Sequence, residues 1–350
     1  MKYSNVYIGA MGYELAPVVV SSSDLEARLA PIYEKLHMPM GQLQALTGIE
    51  ERRWWEPGYA ISDGAAAAAR QALDQGGATA KDLDILIYAG VCREQFEPAT
   101  ACRVAALLGV SGETAVFDVS NACLGVLNGI VDVANRIELG QIRAGLVVSC
   151  ESAREITEVM ISKMLAEPTH DVYRTSIATL TGGSGACAVL LTDGSFGTAK
   201  QRRLVGGVNK AEPQFHTLCR WGIETLEKTM PAIMAQSMVT DSIAVLKYGV
   251  DLGLRTWRLF LTKLGWACDQ IDKVICHQVG GPHRDSVLNS LGIGFDRDFS
   301  TYQFLGNMGT VSLPLTAALA EEREFLKRGD RVGLLGIGSG LNCLMLGVEW

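Results

Sequence analysis

The 350-residue sequence has no surplus of positive charge: 31 lysines and arginines face 38 aspartates and glutamates, which gives a net charge of −7. It has no basic run that could follow a phosphate backbone, which argues against nucleic acid as the main partner. No apolar stretch is long enough to span a bilayer. The first residues predict a strand and not the apolar core of a signal peptide. We therefore expect a cytoplasmic protein without stable membrane insertion.

Metal-ligand spacings are also lacking. None of the nine cysteines and five histidines falls into a CxxC or HxxxH pattern. A site built from Cys276, His277 and His283 is disfavoured, because adjacent strand residues point to opposite faces. The odd number and irregular spacing of the cysteines favour reduced thiols over a disulfide framework. We expect neither a metal nor a bound cofactor.

What the sequence does contain is a weak internal repeat. Residues 84–89 predict an apolar strand that leads into a loop and a helix, and residues 272–277 begin the same pattern. Strongly apolar strands at 144–149 and 332–337 follow at corresponding points. Strands that alternate with helices and are continuously apolar indicate largely parallel sheets covered on both faces.

The repeat predicts two tandem halves related by a pseudo-two-fold axis, with the functional site between them. We place the first half at residues 1–200 and the second at residues 201–350. The first half includes a cap insertion at about 151–180. The hydrophobic content of 48% indicates a large interior, as expected for a globular enzyme of this length.

Cys123 lies between a predicted strand at 115–119 and an apolar helix at 124–137. A cysteine in the first turn of a helix faces the positive end of the helix dipole and free backbone N–H groups. Both features favour the thiolate, and hence a nucleophile. A small buried side chain without chemistry is the alternative that the local pattern leaves open.

Two further polar turns occupy comparable places in the second half. His277 ends a predicted strand, and Asn307 lies in a Gly-Asn-Met-Gly turn close to the position equivalent to Cys123. A histidine at a strand end or an asparagine in a turn is usually structural when it occurs alone. The joint arrangement indicates a catalytic site.

Residues 335–342 read Leu-Gly-Ile-Gly-Ser-Gly-Leu-Asn and superficially resemble a dinucleotide-binding loop. Too little chain follows Gly340 to form the helix and strand of a βαβ unit, so we reject a nicotinamide site. A glycine-rich turn between two strands lets backbone N–H groups approach a substrate closely. Such groups can form an oxyanion hole.

Four motifs in this order resemble the thiolase superfamily over essentially the whole chain, specifically its ketosynthase III-like branch. They are Asn-Ala-Cys-Leu-Gly at 121–125, His-Gln-Val at 277–279, Gly-Asn-Met-Gly at 306–309 and Gly-Ile-Gly-Ser-Gly-Leu-Asn at 336–342. Within that branch the sequence is most similar to the OleA-type enzymes, which join two fatty acyl-CoAs head to head in long-chain olefin biosynthesis. The resemblance implies an α/β thiolase fold with two βαβαβαββ halves in a five-layered αβαβα arrangement.

The resemblance also implies roles for particular residues. Cys123 would be the acyl-accepting nucleophile, and the backbone N–H groups of Cys123 and Ser339 would form the oxyanion hole. His277 and Asn307 would bind the thioester carbonyl of the second substrate.

The residue type at position 97 distinguishes two subfamilies of the ketosynthase III-like branch. Ordinary ketosynthase III enzymes carry an aromatic residue here and form their carbanion by losing CO₂. Joining two plain acyl-CoAs instead requires a base that removes a proton from the carbon α to the thioester. The resemblance makes Glu97 this base, acting in trans in the neighbouring subunit's site, and so implies a homodimer. A solvated loop glutamate is the alternative that the residues alone favour.

The implied reaction is a non-decarboxylative Claisen condensation of two fatty acyl-CoAs through an acyl-cysteine, which gives an α-alkyl β-keto acid or thioester. Downstream pathway enzymes, a reductase first, are the implied partners. A malonyl-dependent 3-oxoacyl-(acyl-carrier-protein) synthase III-like enzyme is the first alternative. A non-enzymatic member of the fold is the second.

Residues 47–55 resemble the segment that meets the CoA nucleotide in related enzymes. Arg52 or Arg53 could pair with a phosphate, and Trp54 or Trp55 could stack on the adenine. Packing in the core or at a dimer interface explains the same residues equally well.

Overall fold

The computed structural model describes residues 1–197, 202–227 and 233–350. In chain order, its strands β1 to β13 are Tyr7–Leu15, Val18–Ser21, Glu51–Trp54, Ile85–Ala89, Ala115–Val119, Ala144–Glu151, Gly185–Thr192, Arg203–Ala211, Cys219–Glu227, Ile233–Thr240, Lys273–Cys276, Arg331–Gly338 and Asn342–Glu349. Its helices α1 to α11 are Ser22–Lys35, Gln42–Thr47, Ile61–Gly76, Thr100–Leu108, Gly125–Glu138, Arg154–Ala166, His170–Ser176, Ser242–Leu264, Gly281–Leu291, Tyr302–Leu305 and Ser312–Glu322.

Two halves with the same strand order form the sheet. The first half runs β5-β4-β6-β7-β1 and the second runs β11-β12-β13-β8. A pairing of Tyr7 with Arg203 joins β1 to β8, so hydrogen bonding links nine of the described strands into one mixed sheet; β2 pairs with β3 and β9 with β10 separately. The counterpart of β5 in the second half is reduced to a single bridge between Val274 and Asp298. The predicted thiolase fold is thus present, with a shorter third strand in its second half.

The helices cover the sheet in layers. On the outside of the first half, α3 packs against β1, β6 and β7. Between the halves, α5 packs against β4, β6 and β7, while α11 contacts β1, β7, β11 and β12. On the outside of the second half, α8 packs against β8 and β13. This is the predicted five-layered αβαβα order.

The two central helices approach the sheet closely. On β12, a Cβ atom at Gly336 would lie 2.4 Å from Leu127 Cδ1 and 2.6 Å from Leu124 Cδ2, so α5 can pack here only against a glycine. The N-terminus of α5 is also tied to the second half, because the backbone N–H of Val126 donates to Thr310 Oγ1 at 2.8 Å. The start of α5 therefore lies at the junction of the two halves.

A cap lies above this junction. It consists of α6, α7 and the β9–β10 hairpin, and both helices pack against β10. The predicted insertion at 151–180 contains α6 and α7. The predicted boundary between residues 200 and 201 falls among residues outside the described part, so this division stays a prediction. No helix in the described ranges has the length and apolar character needed to cross a membrane.

Candidate active site

A chamber of about 480 Å³ opens between the two halves, beneath the cap. Apolar side chains from α6, the hairpin and α8 form one part of its wall, and they include Ile156, Trp221, Met238 and Val245. The polar groups of the wall are Ser120, Cys123, Glu151, Ser152, Thr179, Thr181, Cys219, Arg220, Thr240, His277, His283, Asn307 and Ser339. Four of the five residues predicted to be catalytic thus line one cavity: Cys123, His277, Asn307 and Ser339.

Cys123 is held in the short segment between β5 and α5. The preceding residue, Ala122, has a φ of 46°, in the left-handed region that side-chain-bearing residues seldom adopt. The backbone N–H of Leu124 donates to the carbonyl of Asn121 at 2.9 Å, which closes the turn. This turn places the Cys123 side chain in the wall of the chamber.

The Cys123 thiol differs from the sequence-based expectation. Burial, with smaller contributions from Cys219 and Glu151, raises its pKa from 9.0 to about 12. Desolvation disfavours the thiolate more strongly than the helix N-terminus favours it. The expected thiolate is therefore wrong for the substrate-free chamber, in which Cys123 is a neutral thiol at pH 7.

Two imidazoles line the chamber wall, the buried His277 and the half-buried His283. His277 follows β11, and its backbone N–H donates to the carbonyl of Leu335 on β12 at 2.9 Å. Burial, followed by the neighbouring His283 on α9, lowers the pKa of His277 to about 3. Burial also lowers the pKa of His283 to about 4. Both rings are neutral at pH 7, so His277 can accept a proton or donate a hydrogen bond, but carries no charge.

Asn307 is fixed through its backbone and its side-chain oxygen. Its N–H donates to the Thr181 carbonyl at 2.8 Å, and its carbonyl accepts from the N–H of Gly183 at 2.9 Å. Its Oδ1 accepts from the N–H of Gly309 at 3.0 Å. Because Oδ1 is occupied, the Nδ2 amide group remains as the hydrogen-bond donor for a ligand.

Ser339 lies in the tight turn between β12 and β13, which agrees with the rejection of a dinucleotide loop. At Gly338, a Cβ atom would lie 3.4 Å from the backbone N of Cys123, so the turn and the cysteine are in direct contact. Asn342 Nδ2 lies within hydrogen-bonding distance of both Asn121 Oδ1, at 3.1 Å, and the Ser339 carbonyl, at 3.4 Å. The backbone groups of Cys123 and Ser339 are thereby held side by side.

Glu97 is the predicted catalytic residue that the single chain does not bring to the chamber. It lies on the exposed loop between β4 and α4 and is absent from the chamber wall. The adjacent Phe96 is 88% exposed. Its role as a base that acts in another copy of the chain stays a prediction.

Three of the four residues predicted as possible CoA contacts, Arg52, Trp54 and Trp55, are buried. Arg52 is 0% exposed, and its guanidinium donates to the Val20 carbonyl at 3.2 Å and to Ser22 Oγ at 3.0 Å, so it cannot meet a phosphate. Trp54 and Trp55 are buried, and their indole N–H groups donate to the carbonyls of Gly182 and Glu151. Arg53 is half-buried, and its role stays a prediction.

Comparison with known proteins identifies the family. A family model described as 3-oxoacyl-[acyl-carrier-protein (ACP)] synthase III C terminal matches residues 261–350. An acyl-CoA:acyl-CoA alkyltransferase of Shewanella oneidensis is 57% identical, over 100% of both chains. The protein of the same name from Xanthomonas campestris is 34% identical, again over 100% of both. The chain belongs to the OleA-type alkyltransferases.

Solved structures agree with this membership. A crystal structure of Xanthomonas campestris OleA, 34% identical, superposes with a TM-score of 0.92 and covers 100% of this chain and 98% of that one. Another, of a cysteine-to-serine variant with bound lauric acid and lauroyl-CoA, has the same TM-score and identity and covers 99% and 100%. The alkyltransferase fold and its place in the ketosynthase III-like branch are as the motifs predicted.

Two chamber groups of this alkyltransferase were not predicted as part of the site. Glu151 ends β6 and faces the chamber, and His283 was considered only as a metal ligand. The sequence did indicate a role for Glu151 in the site. An acidic residue at the carboxyl end of a largely apolar strand lies where α/β sheets bind ligands. His283 has no comparable local signal, since only the fold of α9 brings it beside His277.

Proposed function

We propose that this enzyme condenses two fatty acyl-CoAs head to head without decarboxylation, in the biosynthesis of olefins or related lipids. The observation that carries the proposal is the meeting of Cys123, His277, Asn307 and the Ser339 turn in one chamber with an apolar wall. The substrate class is supported by the names of the two alkyltransferase relatives and by the lauroyl-CoA bound to the Xanthomonas protein.

In the first half-reaction, Cys123 attacks the thioester carbonyl of one acyl-CoA. Because its thiol is neutral in the free chamber, its proton must leave as the sulfur attacks. The neutral His277 relays this proton to the departing coenzyme A sulfur without resting as an imidazolium. The backbone N–H groups of Cys123 and Ser339 stabilise the oxyanion of the tetrahedral intermediate. Coenzyme A leaves as its thiol with the proton from His277, and the acyl group remains on Cys123.

In the second half-reaction, the partner subunit's Glu97 removes the α-proton of the second acyl-CoA. Hydrogen bonds from His277 and from Asn307 Nδ2 stabilise the enolate oxygen. The enolate carbon attacks the Cys123 thioester, the new carbon–carbon bond forms, and the cysteine sulfur leaves. The product is an α-alkyl β-ketoacyl-CoA, which is released as the thioester or after hydrolysis as the β-keto acid.

A homodimer supplies Glu97 in this scheme. The loop that carries Glu97 projects from the chain, with Phe96 exposed at its tip. The neighbouring strand β5 is the last in the order of the sheet. An edge strand presents unpaired backbone groups that another copy of the chain can cover, so the contact between the two subunits is proposed at this edge.

Lauroyl-CoA as the sole substrate tests the proposed function. We expect one equivalent of acyl group on Cys123 in mass spectra after brief exposure, followed by a β-keto product of two lauroyl units. C123A should abolish both signals, while E97Q should retain the adduct and lose the product. If CoA release and product formation required malonyl thioester, the malonyl-dependent alternative would replace this proposal.

A further inference from the structure

Glu151 is a titratable side chain in the chamber wall that the proposed condensation does not use; burial raises its pKa, and hydrogen bonds from Val91 and Cys92 oppose this rise. It is 4% exposed, and its two carboxylate oxygens accept the backbone N–H groups of Val91, at 2.9 Å, and Cys92, at 3.0 Å. On the chamber side it packs against Gly309, where a Cβ atom would lie 3.5 Å from Glu151 Cγ. Glu151 therefore lies between the chamber and the first residues of the loop that carries Glu97.

That loop has two further anchors. Glu94 Oε1 accepts from Ser62 Oγ at 2.6 Å and from Arg103 at 2.9 Å. At the end of the loop, the carboxylate of Asp118 accepts the backbone N–H groups of Thr100 and Ala101, both at 2.9 Å. Residues 95–98 lie between these anchors and are exposed. The tip that carries Glu97 thus has few contacts of its own, and its direction depends on the anchors.

The Glu151 anchor differs from the one at Glu94 in its burial. The Arg103 side chain at the Glu94 anchor is 48% exposed, so water screens and competes with that ion pair. Glu151 is buried and accepts two backbone N–H groups from consecutive residues, which fixes the direction in which the chain enters the loop. Loss of one of these bonds leaves a buried donor unpaired.

We propose that Glu151 is the positioning residue that holds the Glu97 loop in place for the partner subunit's chamber. The buried carboxylate of each subunit then governs the condensation step in the other subunit. This inference rests on the proposed function, because it requires Glu97 to act in trans. A small misplacement of a general base lowers the rate strongly, by about 100-fold for an error of ~1 Å.

The informative variant is E151Q. The amide keeps the shape of the side chain and one acceptor oxygen, but it turns an N–H₂ group toward the other backbone N–H. The backbone N–H of Val91 or Cys92 then loses its acceptor and meets the N–H₂ group of the new side chain. The matched control is E26Q, because Glu26 is 3% exposed and also accepts two backbone N–H groups, those of Gly41 and Leu43, at 2.7 Å each, together with the Tyr33 hydroxyl at 3.1 Å. Glu26 does not line the chamber.

Mixed dimers with differently tagged chains separate the two subunits. When a C123A chain pairs with an E97Q chain, the dimer has one complete site: Cys123 from the E97Q chain and Glu97 from the C123A chain. We expect E151Q on the C123A chain to lower β-keto product formation and α-deuterium exchange by about 10- to 100-fold. Acylation of Cys123 on the other chain should be unchanged. E151Q on the E97Q chain alters the wall of the working chamber and a charge that raises the Cys123 pKa, so it should change the acylation of Cys123 but leave the ratio of β-keto product to acyl-enzyme unchanged.

Each outcome of the mixed-dimer experiment is decisive. Equal losses in the ratio of β-keto product to acyl-enzyme from either placement, or a loss of this ratio only on the chain that holds Cys123, would overturn the positioning role. A mixed dimer that makes no product before Glu151 is changed would overturn the trans action of Glu97, and the inference with it. E26Q on either chain should leave the ratio of product to acyl-enzyme unchanged. If E151Q lowers the dimer yield, E151D should show a smaller loss on the same chain only.

Discussion

At the scale of single residues, the protonation of Cys123 shows which of two opposing effects is larger. A helix N-terminus stabilises a nearby negative charge by about 0.3–1 kcal/mol. Burial raises the Cys123 pKa from 9.0 to about 12, and each pKa unit corresponds to about 1.4 kcal/mol. Desolvation therefore has a larger effect on the Cys123 pKa than the helix N-terminus. The residue is a nucleophile that becomes reactive when its proton is taken.

The pH dependence of alkylation follows from this pKa. Because the folded-state pKa of Cys123 lies near 12, the thiolate fraction should rise about tenfold per pH unit from pH 7 to pH 10. The rate of inactivation by iodoacetamide should rise in parallel over this whole range. A cysteine in a short unstructured peptide, with a pKa of about 8.5, should level off above a pH of about 9.5 in the same buffers. An inactivation rate that becomes independent of pH near pH 8 would contradict the assignment of a neutral resting thiol.

At the scale of elements, the position of α5 on β12 decides where Cys123 lies. Gly336 allows Leu124, just before α5, and Leu127 of α5 to lie directly on β12. The neighbouring Gly338 contacts Cys123. The contact brings the nucleophile beside the Ser339 turn. The proposed oxyanion hole therefore depends on helix-on-sheet packing.

The Gly336 contact leads to a prediction for G336A. The new methyl group would overlap with both leucines and would also lie 3.1 Å from the Leu344 carbonyl oxygen. We expect a loss of about 1–3 kcal/mol in the free energy of unfolding, and slower acylation of Cys123 because α5 must shift. Urea unfolding and stopped-flow acylation by lauroyl-CoA measure the two effects.

G253A on α8 is the matched control for G336A. Among the described residues, no atom outside the chain neighbours and the helix's own backbone lies within 4 Å of the Cβ position there, and alanine is favoured over glycine inside a helix. G253A should therefore keep or raise stability and leave acylation unchanged. Equal behaviour of the two variants would show that the α5–β12 contact is not tightly packed.

At the scale of the whole molecule, the single chain contains every proposed catalytic group in one chamber except the base. Glu97 lies outside that chamber, on a loop with an exposed phenylalanine. We therefore expect the specific activity to depend on dimerisation. It should fall on dilution below the dissociation constant of the dimer.

F96D tests the role of the loop tip in dimerisation. Phe96 is 88% exposed, so the substitution should cost the isolated chain little stability. If the tip enters the partner, burying a carboxylate there should weaken the dimer by tenfold or more, corresponding to about 1.4 kcal/mol. L139D is the control, because Leu139 is 72% exposed at the end of α5. Sedimentation velocity that shows the same dimer affinity for both variants would contradict the proposed interface.

The predicted site and the structure agree where a residue's place follows from strand and helix order. Cys123, His277 and Ser339 follow the carboxyl ends of β5, β11 and β12, where α/β sheets bind ligands, and Asn307 follows the short helix α10. The predicted CoA contacts of Arg52 and Trp54 are wrong for a local reason. Alternation along β3 buries both side chains, and the polar character of an arginine gives no sign of such burial.

The sequence alone determined the family, the repeated strand order and the chemistry of the nucleophile's neighbourhood, because motifs and apolar periodicity are local properties of a chain. Only the tertiary structure decided that Cys123 is a neutral thiol, that Arg52 is a core residue, and that Glu151 connects the chamber to the Glu97 loop. Burial and contacts between residues distant in the chain depend on how whole elements pack. No local stretch of sequence contains that information.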